Sequence, residues 1–229
     1  TAYEIYQCDW SSDVCSSDLH DRIHAAKQLA EKLEFTKDTD CIVLAIPRGG
    51  VIVGAELAKI LGMPLDVIIS KKITPPDYPE YAIGAITYDG VMYFGHDWER
   101  YSSDPRFQEE INKKRSEITR QIHVYRGHTN YDFGNKTIIL VDDGIATGAT
   151  VCAIIKWLQK KTTKIILATP VIPYVTSEII KRFGVQIIAL EMPKEFSSVG
   201  QFYRKFDQIP DSMVISILHK FSAQSKQDS

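Results

Sequence analysis

The chain has 229 residues, 44% of them hydrophobic and 24% charged, with a formal net charge of −2. That length suits one large domain or one domain with a small appendage. The composition is that of an ordinary globular protein, and the near-neutral charge speaks against a general nucleic-acid or membrane-surface role. No apolar run approaches the roughly 20 residues needed to cross a bilayer, and the start of the chain lacks the apolar core of a secretory signal. Cys8, Cys15, Cys41 and Cys152 show no metal-binding spacing. Cys41 and Cys152 sit in apolar runs and read as buried thiols, which fits a reducing, cytoplasmic setting.

Residues 1–19 carry a Ser-Ser-Asp repeat without helical or strand period and read as a disordered or artefactual leader. Patterned sequence begins at His20-Asp21-Arg22. A helix is predicted over 21–33, with Ile23, Ala26, Leu29, Ala30 and Leu33 on its apolar face. A short apolar strand (42–46) is broken by Pro47-Arg48-Gly49-Gly50. A helix (51–61) follows, then a second buried strand (65–69) closed by Ser70-Lys71-Lys72. A strand–loop–helix–strand unit of this kind predicts a parallel sheet.

Residues 75–80, rich in proline and charge, read as a mobile loop. Two shorter strands (82–87 and 91–94) flank the hairpin turn signal Tyr88-Asp89-Gly90. A long charged helix (104–126) has Phe107, Ile111, Ile118 and Ile122 as its apolar stripe, with Lys113-Lys114-Arg115 on a solvated face. Then come a strand (138–141), a helix running to Leu158, a strand (164–169), a helix (176–183), a strand (186–190) and a tail with a helix over 211–220. The alternation predicts an α/β fold: an open, mostly parallel sheet with helices on both faces.

The stretch over 137–150 carries the most chemical information. Ile138-Ile139-Leu140-Val141 is a buried strand by composition, and it ends in two carboxylates, Asp142 and Asp143. The loop Ala146-Thr147-Gly148-Ala149-Thr150 lacks bulky side chains, so its N–H groups can approach a ligand, and it opens a helix whose N-terminus favours an anion. Two acceptors for sugar hydroxyls and a phosphate cradle fall within a few residues, which are the needs of a ribose 5-phosphate. The carboxyl end of a strand is also where α/β folds place ligands. The second candidate is Pro47-Arg48-Gly49-Gly50-Val51. Its paired glycines permit positive φ and expose N–H groups, and Arg48 adds a positive fork suited to phosphate oxygens. No Gly-Lys-Ser/Thr closes this loop, so it is not a Walker loop.

Together these motifs resemble the phosphoribosyl pyrophosphate signature and pyrophosphate loop of type I phosphoribosyltransferases. Further likeness lies in 65–72, in 79–85, in Ala168-Thr169-Pro170-Val171, in Phe196-Ser197-Ser198-Val199-Gly200 and in Phe202-Tyr203-Arg204-Lys205-Phe206. These pieces are similar to a group of predicted phosphoribosyltransferases whose nucleobase substrate is unassigned. The resemblance covers roughly 20–220, leaves 221–229 as a tail, and implies the type I fold with a small hood. It implies transfer of a phosphoribosyl group from phosphoribosyl pyrophosphate to a small-molecule acceptor, with Mg²⁺ as cofactor, no nucleic-acid or membrane partner, and a homodimer as a candidate assembly. By the same resemblance Asp142 and Asp143 hold the ribose hydroxyls directly or through Mg²⁺. Ala146, Thr147, Gly148, Ala149 and Thr150 hold the 5′-phosphate, while Arg48, Gly49 and Gly50 hold pyrophosphate. Lys72, or failing it Lys71, neutralises the pyrophosphate, and Glu80 in the mobile loop is a candidate general base.

One departure concerns Ala146. Hypoxanthine-guanine enzymes of the family carry an Asp there, and alanine transfers no proton. A binding module that senses phosphoribosyl pyrophosphate without turnover therefore stays open beside the enzyme, as does a hydrolase acting on the same ligand. Phe196, Val199 and Tyr203 are candidates for stacking a base, although side chains of this kind more often form local core.

Overall fold

A computed structural model describes residues 19–224 except 38, 76, 79, 80 and 96, with only the backbone at 222–224. The elements in chain order are α1 (Arg22–Lys32), β1 (Cys41–Ala45), α2 (Gly49–Leu61), β2 (Leu65–Val67), β3 (Ser70–Ile73), β4 (Gly84–Thr87) and β5 (Met92–Phe94). They continue with α3 (Trp98–Tyr101), α4 (Pro105–Arg126), β6 (Thr137–Val141), α5 (Ala149–Leu158), β7 (Ile165–Val171), α6 (Tyr174–Lys181), β8 (Gln186–Glu191) and α7 (Asp211–Gln224).

Five strands form one parallel sheet in the order β2-β1-β6-β7-β8. Its central strands are apolar on both faces because both faces are covered. In β6, Ile138 and Leu140 pack with α5 residues such as Ile154 and Trp157, whereas Ile139 and Val141 pack with Leu29 of α1 and Leu57 of α2. The chain runs from β1 to β2 in one direction and from β6 through β7 to β8 in the other. The sheet therefore has its topological switch point between β1 and β6, where open α/β sheets bind ligands.

The strand expected over 65–69, closed by a polar group, is shorter in the fold. It stops at Val67, the chain bends through buried Ile68 and Ile69, and Ser70-Lys71-Lys72 begin β3 of a separate antiparallel sheet, β3-β4-β5. That small sheet lies over α5. Ala85 of β4 packs with Ala149 and Ala153 of α5, and these three small side chains allow the layers to approach closely. The Tyr88-Asp89-Gly90 turn joins β4 and β5, with Gly90 at φ 89°. Another expectation fails at α1. Ile23 is 46% exposed, and Ala25 takes its place on the buried face, because α1 meets the sheet through its Ala25-Ala26 edge. The α4 stripe of Phe107, Ile111, Ile118 and Ile122 is buried as expected.

Trp157 anchors the α5 layer. It is fully buried, its ring centroid is 5.0 Å from that of Tyr131 and 6.1 Å from that of Tyr88, and its indole N–H donates to Asp89 Oδ2 at 2.8 Å. Trp157→Ala should cost about 3–5 kcal/mol, and Trp157→Phe should cost less while still leaving the Asp89 carboxylate short of a donor. Urea unfolding of both variants checks this; equal and small losses would mean that the indole neither packs nor bonds as described.

Candidate functional site

The two loops singled out in the sequence meet at the switch point. β1 and β6 are neighbours in register, Ala45 beside Val141, and the Ile46 N–H donates to the Val141 carbonyl at 2.8 Å. Residues 47–50 and 142–150 thus leave the sheet side by side. Gly49 and Gly50 are not at positive φ; they are the first residues of α2. Their missing side chains provide room instead. A Cβ on Gly49 would overlap the Asp143 carboxylate and lie 2.9 Å from Arg22 Nε, and a Cβ on Gly50 would lie 2.9 Å from the Asp142 Cα. The Pro47–Arg48 peptide is cis.

The acid pair is asymmetric. Asp143 accepts from Arg22 Nε at 2.6 Å, and both side chains are largely buried, 14% and 9% exposed. Asp142 is half-buried, and its Oδ1 accepts the Asp143 N–H at 2.9 Å. Among the described residues no cation pairs with Asp142. Burial, and then the neighbouring Asp143 carboxylate, hold the Asp142 carboxyl well above the usual carboxylate range.

The loop over 146–150 opens α5 through Gly148, whose φ of 74° turns the chain into the helix. The Ala146 carbonyl is taken by Thr176 Oγ1 at 2.7 Å. Among the described residues, none of the N–H groups from Ala146 to Thr150 donates to a backbone carbonyl, so they are free for an anion at the helix N-terminus. Thr147 is exposed and Thr150 half-buried.

Beyond Arg48 lies a cavity of about 320 Å³ lined by Pro47, Arg48, Ile69, Ser70, Lys71, Gln121, Tyr125 and Asp211. Arg48 Nη1 stands 3.9 Å from Asp211 Oδ1, and Asp211 also accepts from the Tyr125 hydroxyl at 2.8 Å. Of the two candidate lysines, Lys71 lines this cavity. Lys72 is exposed and shares the opposite face of β3 with its pair partner Ala85, toward the start of α5. Glu80, and with it much of the loop over 75–80, lies outside the described residues.

The aromatic candidates for stacking a base form local core. Tyr203 is 7% exposed, with its hydroxyl donating to the Asp143 carbonyl at 2.6 Å; Phe196 stacks on Phe202 at 6.0 Å; and Val199 fills the space beside Gly144. Leu19, assigned to the leader on sequence grounds, is buried and bridges Tyr203. Sequence reasoning missed Arg22 and Asp211 as neighbours of the site, and it offered Tyr203 as a base-stacking residue and not as a donor to the Asp143 carbonyl. Arg22 carried one usable signal, because a cation in the first turn opposes the helix dipole and so calls for a partner.

Among the described residues no three His, Cys, Asp or Glu side chains cluster as metal ligands, and no helix is long and apolar enough to cross a membrane. Residues 16–178 match the model of the phosphoribosyl transferase domain. Two Mycobacterium tuberculosis proteins, from strains CDC 1551 and H37Rv, each named "Putative phosphoribosyl transferase", are 36% identical over 207 residues. That alignment covers 87% of this chain and 46% of each relative, so the chain spans just under half the length of these curated relatives. The crystal structure of TT1426 from Thermus thermophilus is similar at a TM-score of 0.74 and 32% identity, covering 89% of this chain and 99% of that one. With the signature strand, the acid pair and the glycine loop at one switch point, the chain belongs to the phosphoribosyl transferase domain family and has the type I α/β fold.

Proposed function

We propose that this protein is a phosphoribosyltransferase that takes phosphoribosyl pyrophosphate and a nucleobase-like acceptor and releases pyrophosphate. The observation that carries this reading is the convergence at one switch point of three complementary features: the acid pair, the free N–H groups over 146–150, and the cationic cavity beside Arg48. Their order along the crevice suits a ligand with a phosphate at one end, a diol in the middle and a diphosphate at the other.

In this reading the N–H groups of Ala146, Thr147, Gly148, Ala149 and Thr150, with the hydroxyls of Thr147 and Thr150, hold the 5′-phosphate. Asp142 and the uncommitted oxygen of Asp143 accept from the ribose hydroxyls. Arg48 and Lys71 take the charge of the leaving pyrophosphate, and the glycines at 49 and 50 let the acid pair approach. The bond from C1 to the pyrophosphate oxygen breaks while a ring nitrogen of the acceptor bonds to C1. The transition state is oxocarbenium-like, so positioning and leaving-group stabilisation supply most of the rate. Mg²⁺ held chiefly on ligand oxygens would neutralise pyrophosphate charge. The donor set fits that role, since Mg²⁺ keeps few protein ligands and the Asp142 carboxylate is not ion-paired to any cation among the described residues.

Ala146 supplies no proton acceptor, which supports a second reading: binding of phosphoribosyl pyrophosphate without turnover. One experiment separates the two. Calorimetry with phosphoribosyl pyrophosphate and Mg²⁺ should give binding, and a panel of nucleobases should then give pyrophosphate release with at least one. Absence of binding sinks both readings; binding with no release from any base leaves the non-catalytic one.

The lysines give a sharper check. Lys71→Ala should weaken binding of inorganic pyrophosphate by about tenfold, as expected for loss of one charged hydrogen bond of roughly 1.5–3 kcal/mol. Lys72→Ala should weaken it less. The reverse ranking would mean that pyrophosphate sits over the start of α5 and not in the Arg48 cavity.

A further inference from the structure

Three pieces of sequence have no part in the reading above: His20-Asp21-Arg22 and the C-terminal stretches 196–200 and 202–206. In the fold they converge on Asp143. Arg22 donates to Asp143 Oδ2 through Nε at 2.6 Å and to the Asp207 carbonyl through Nη1 at 2.9 Å, and its guanidinium carbon lies 3.8 Å from the Phe206 ring centre. The Tyr203 hydroxyl donates to the Asp143 carbonyl, and Val199 packs on the next residue, Gly144. Asp143 is therefore held through both its side chain and its backbone, by the first helix and by the C-terminal segment.

A buried cation is costly unless it is paired, and a cation in the first turn of a helix is further disfavoured by the dipole. Arg22 meets both conditions, and its Nε and Nη1 are committed to the acid-pair wall and to the segment that covers it. Asp142 has no such support. Its Oδ1 accepts the Asp143 N–H at 2.9 Å, its backbone N–H donates to the Ala168 carbonyl at 3.4 Å, and among the described residues no cation is ion-paired to its carboxylate.

We propose that Arg22 and Tyr203 are positioning residues that hold Asp143, so that the acid pair divides its work. Asp143, with one oxygen committed to Arg22, forms the fixed wall and turns Asp142 toward the crevice; Asp142 supplies the free oxygen that meets the ribose hydroxyls. Arg22 also cancels one of two adjacent negative charges beside a site for an anionic ligand. The proposal rests on the phosphoribosyl reading and adds residues that do not themselves touch the ligand.

The test is calorimetry in Mg²⁺ with three probes: phosphoribosyl pyrophosphate, ribose 5-phosphate and inorganic pyrophosphate. Arg22→Gln should weaken the two ribose-bearing ligands by about tenfold or more while pyrophosphate changes by less than about twofold. Tyr203→Phe should give a smaller loss on the same two ligands. Arg22→Lys, which keeps the charge without the planar fork, should fall between the parent and Arg22→Gln. Should Arg22→Gln fail to fold, Arg22→Lys and Tyr203→Phe carry the comparison. A purely structural role would weaken all three ligands alike, and that result overturns the proposal, as does unchanged affinity for ribose 5-phosphate. A parent protein that binds none of the three overturns the phosphoribosyl reading itself, and the positioning with it.

Discussion

Gly49→Ala is expected to abolish ribose binding and lower Tm by roughly 10 °C, although it adds one methyl group to a residue that already has helical φ. The added Cβ would overlap the Asp143 carboxylate and stand 2.9 Å from Arg22 Nε. A flexible surface carboxylate would swing away at little cost. Asp143 is not free to do so, because it is ion-paired to Arg22 at 2.6 Å in a largely buried setting and its carbonyl is held by Tyr203. Relief of the overlap must break that pair, and breaking a buried pair costs about 3–5 kcal/mol. At roughly 2–4 °C per kcal/mol for a protein of this size, a fall near 10 °C follows. Differential scanning calorimetry measures it directly. A Tm within about 2 °C of the parent would mean that the α2 N-terminus slides to make room, and the close approach of the two loops would lose its significance. Gly50→Ala meets backbone that cannot swing aside, the Asp142 Cα at 2.9 Å and the Val141 carbonyl oxygen at 3.0 Å, as well as the Asp142 carboxylate at 3.0 Å.

Local chemistry determined what was legible in the sequence. Ile138 to Val141 announces a strand covered on both faces, and β6 is such a strand. The acid pair and the small-residue loop follow it in the chain, so their place at a strand's carboxyl end and a helix N-terminus needed no tertiary information. The glycines at 49 and 50 were legible as special but for the wrong reason. Positive φ is a local property and a natural guess, whereas the actual requirement is close approach to Asp142 and Asp143, far away in the chain. Distance in sequence also hid Arg22 from Asp143, 121 residues apart, and Tyr203 from Asp143, 60 apart. The apolar run over 65–69 suggests too long a strand because it continues through Ile68 and Ile69, which are buried in the bend and not in the ladder. That error matters for function, since the alternation it conceals places Lys71 in the Arg48 cavity and Lys72 on the other face.

The acid pair should separate stability from binding, residue by residue. The sequence alone suggests that both carboxylates are solvent-accessible, so that exchanging both for Asn weakens ligand binding and leaves the fold unchanged. The structure assigns these effects to different residues. Asp143→Asn removes the charge facing Arg22, leaves a guanidinium that is only 9% exposed without its counter-ion, and should cost about 3 kcal/mol. Asp142→Asn removes a charge that the fold opposes. Burial and the neighbouring Asp143 raise the folded-state pKa of Asp142, so the folded chain holds that proton more tightly than the unfolded chain does. A carboxyl of this kind contributes stability at low pH and loses it as pH rises through the folded value. Asp142→Asn should therefore keep or raise Tm at pH 7 while binding of phosphoribosyl pyrophosphate weakens by about tenfold or more. Retention of a destabilising carboxylate is what a binding site requires and a packing role does not. Calorimetric scans of the two single variants, paired with titrations of the same samples, decide the matter. Equal loss of stability in both would make the pair a structural unit. A stable Asp142→Asn that binds as tightly as the parent would remove Asp142 from the ligand site altogether.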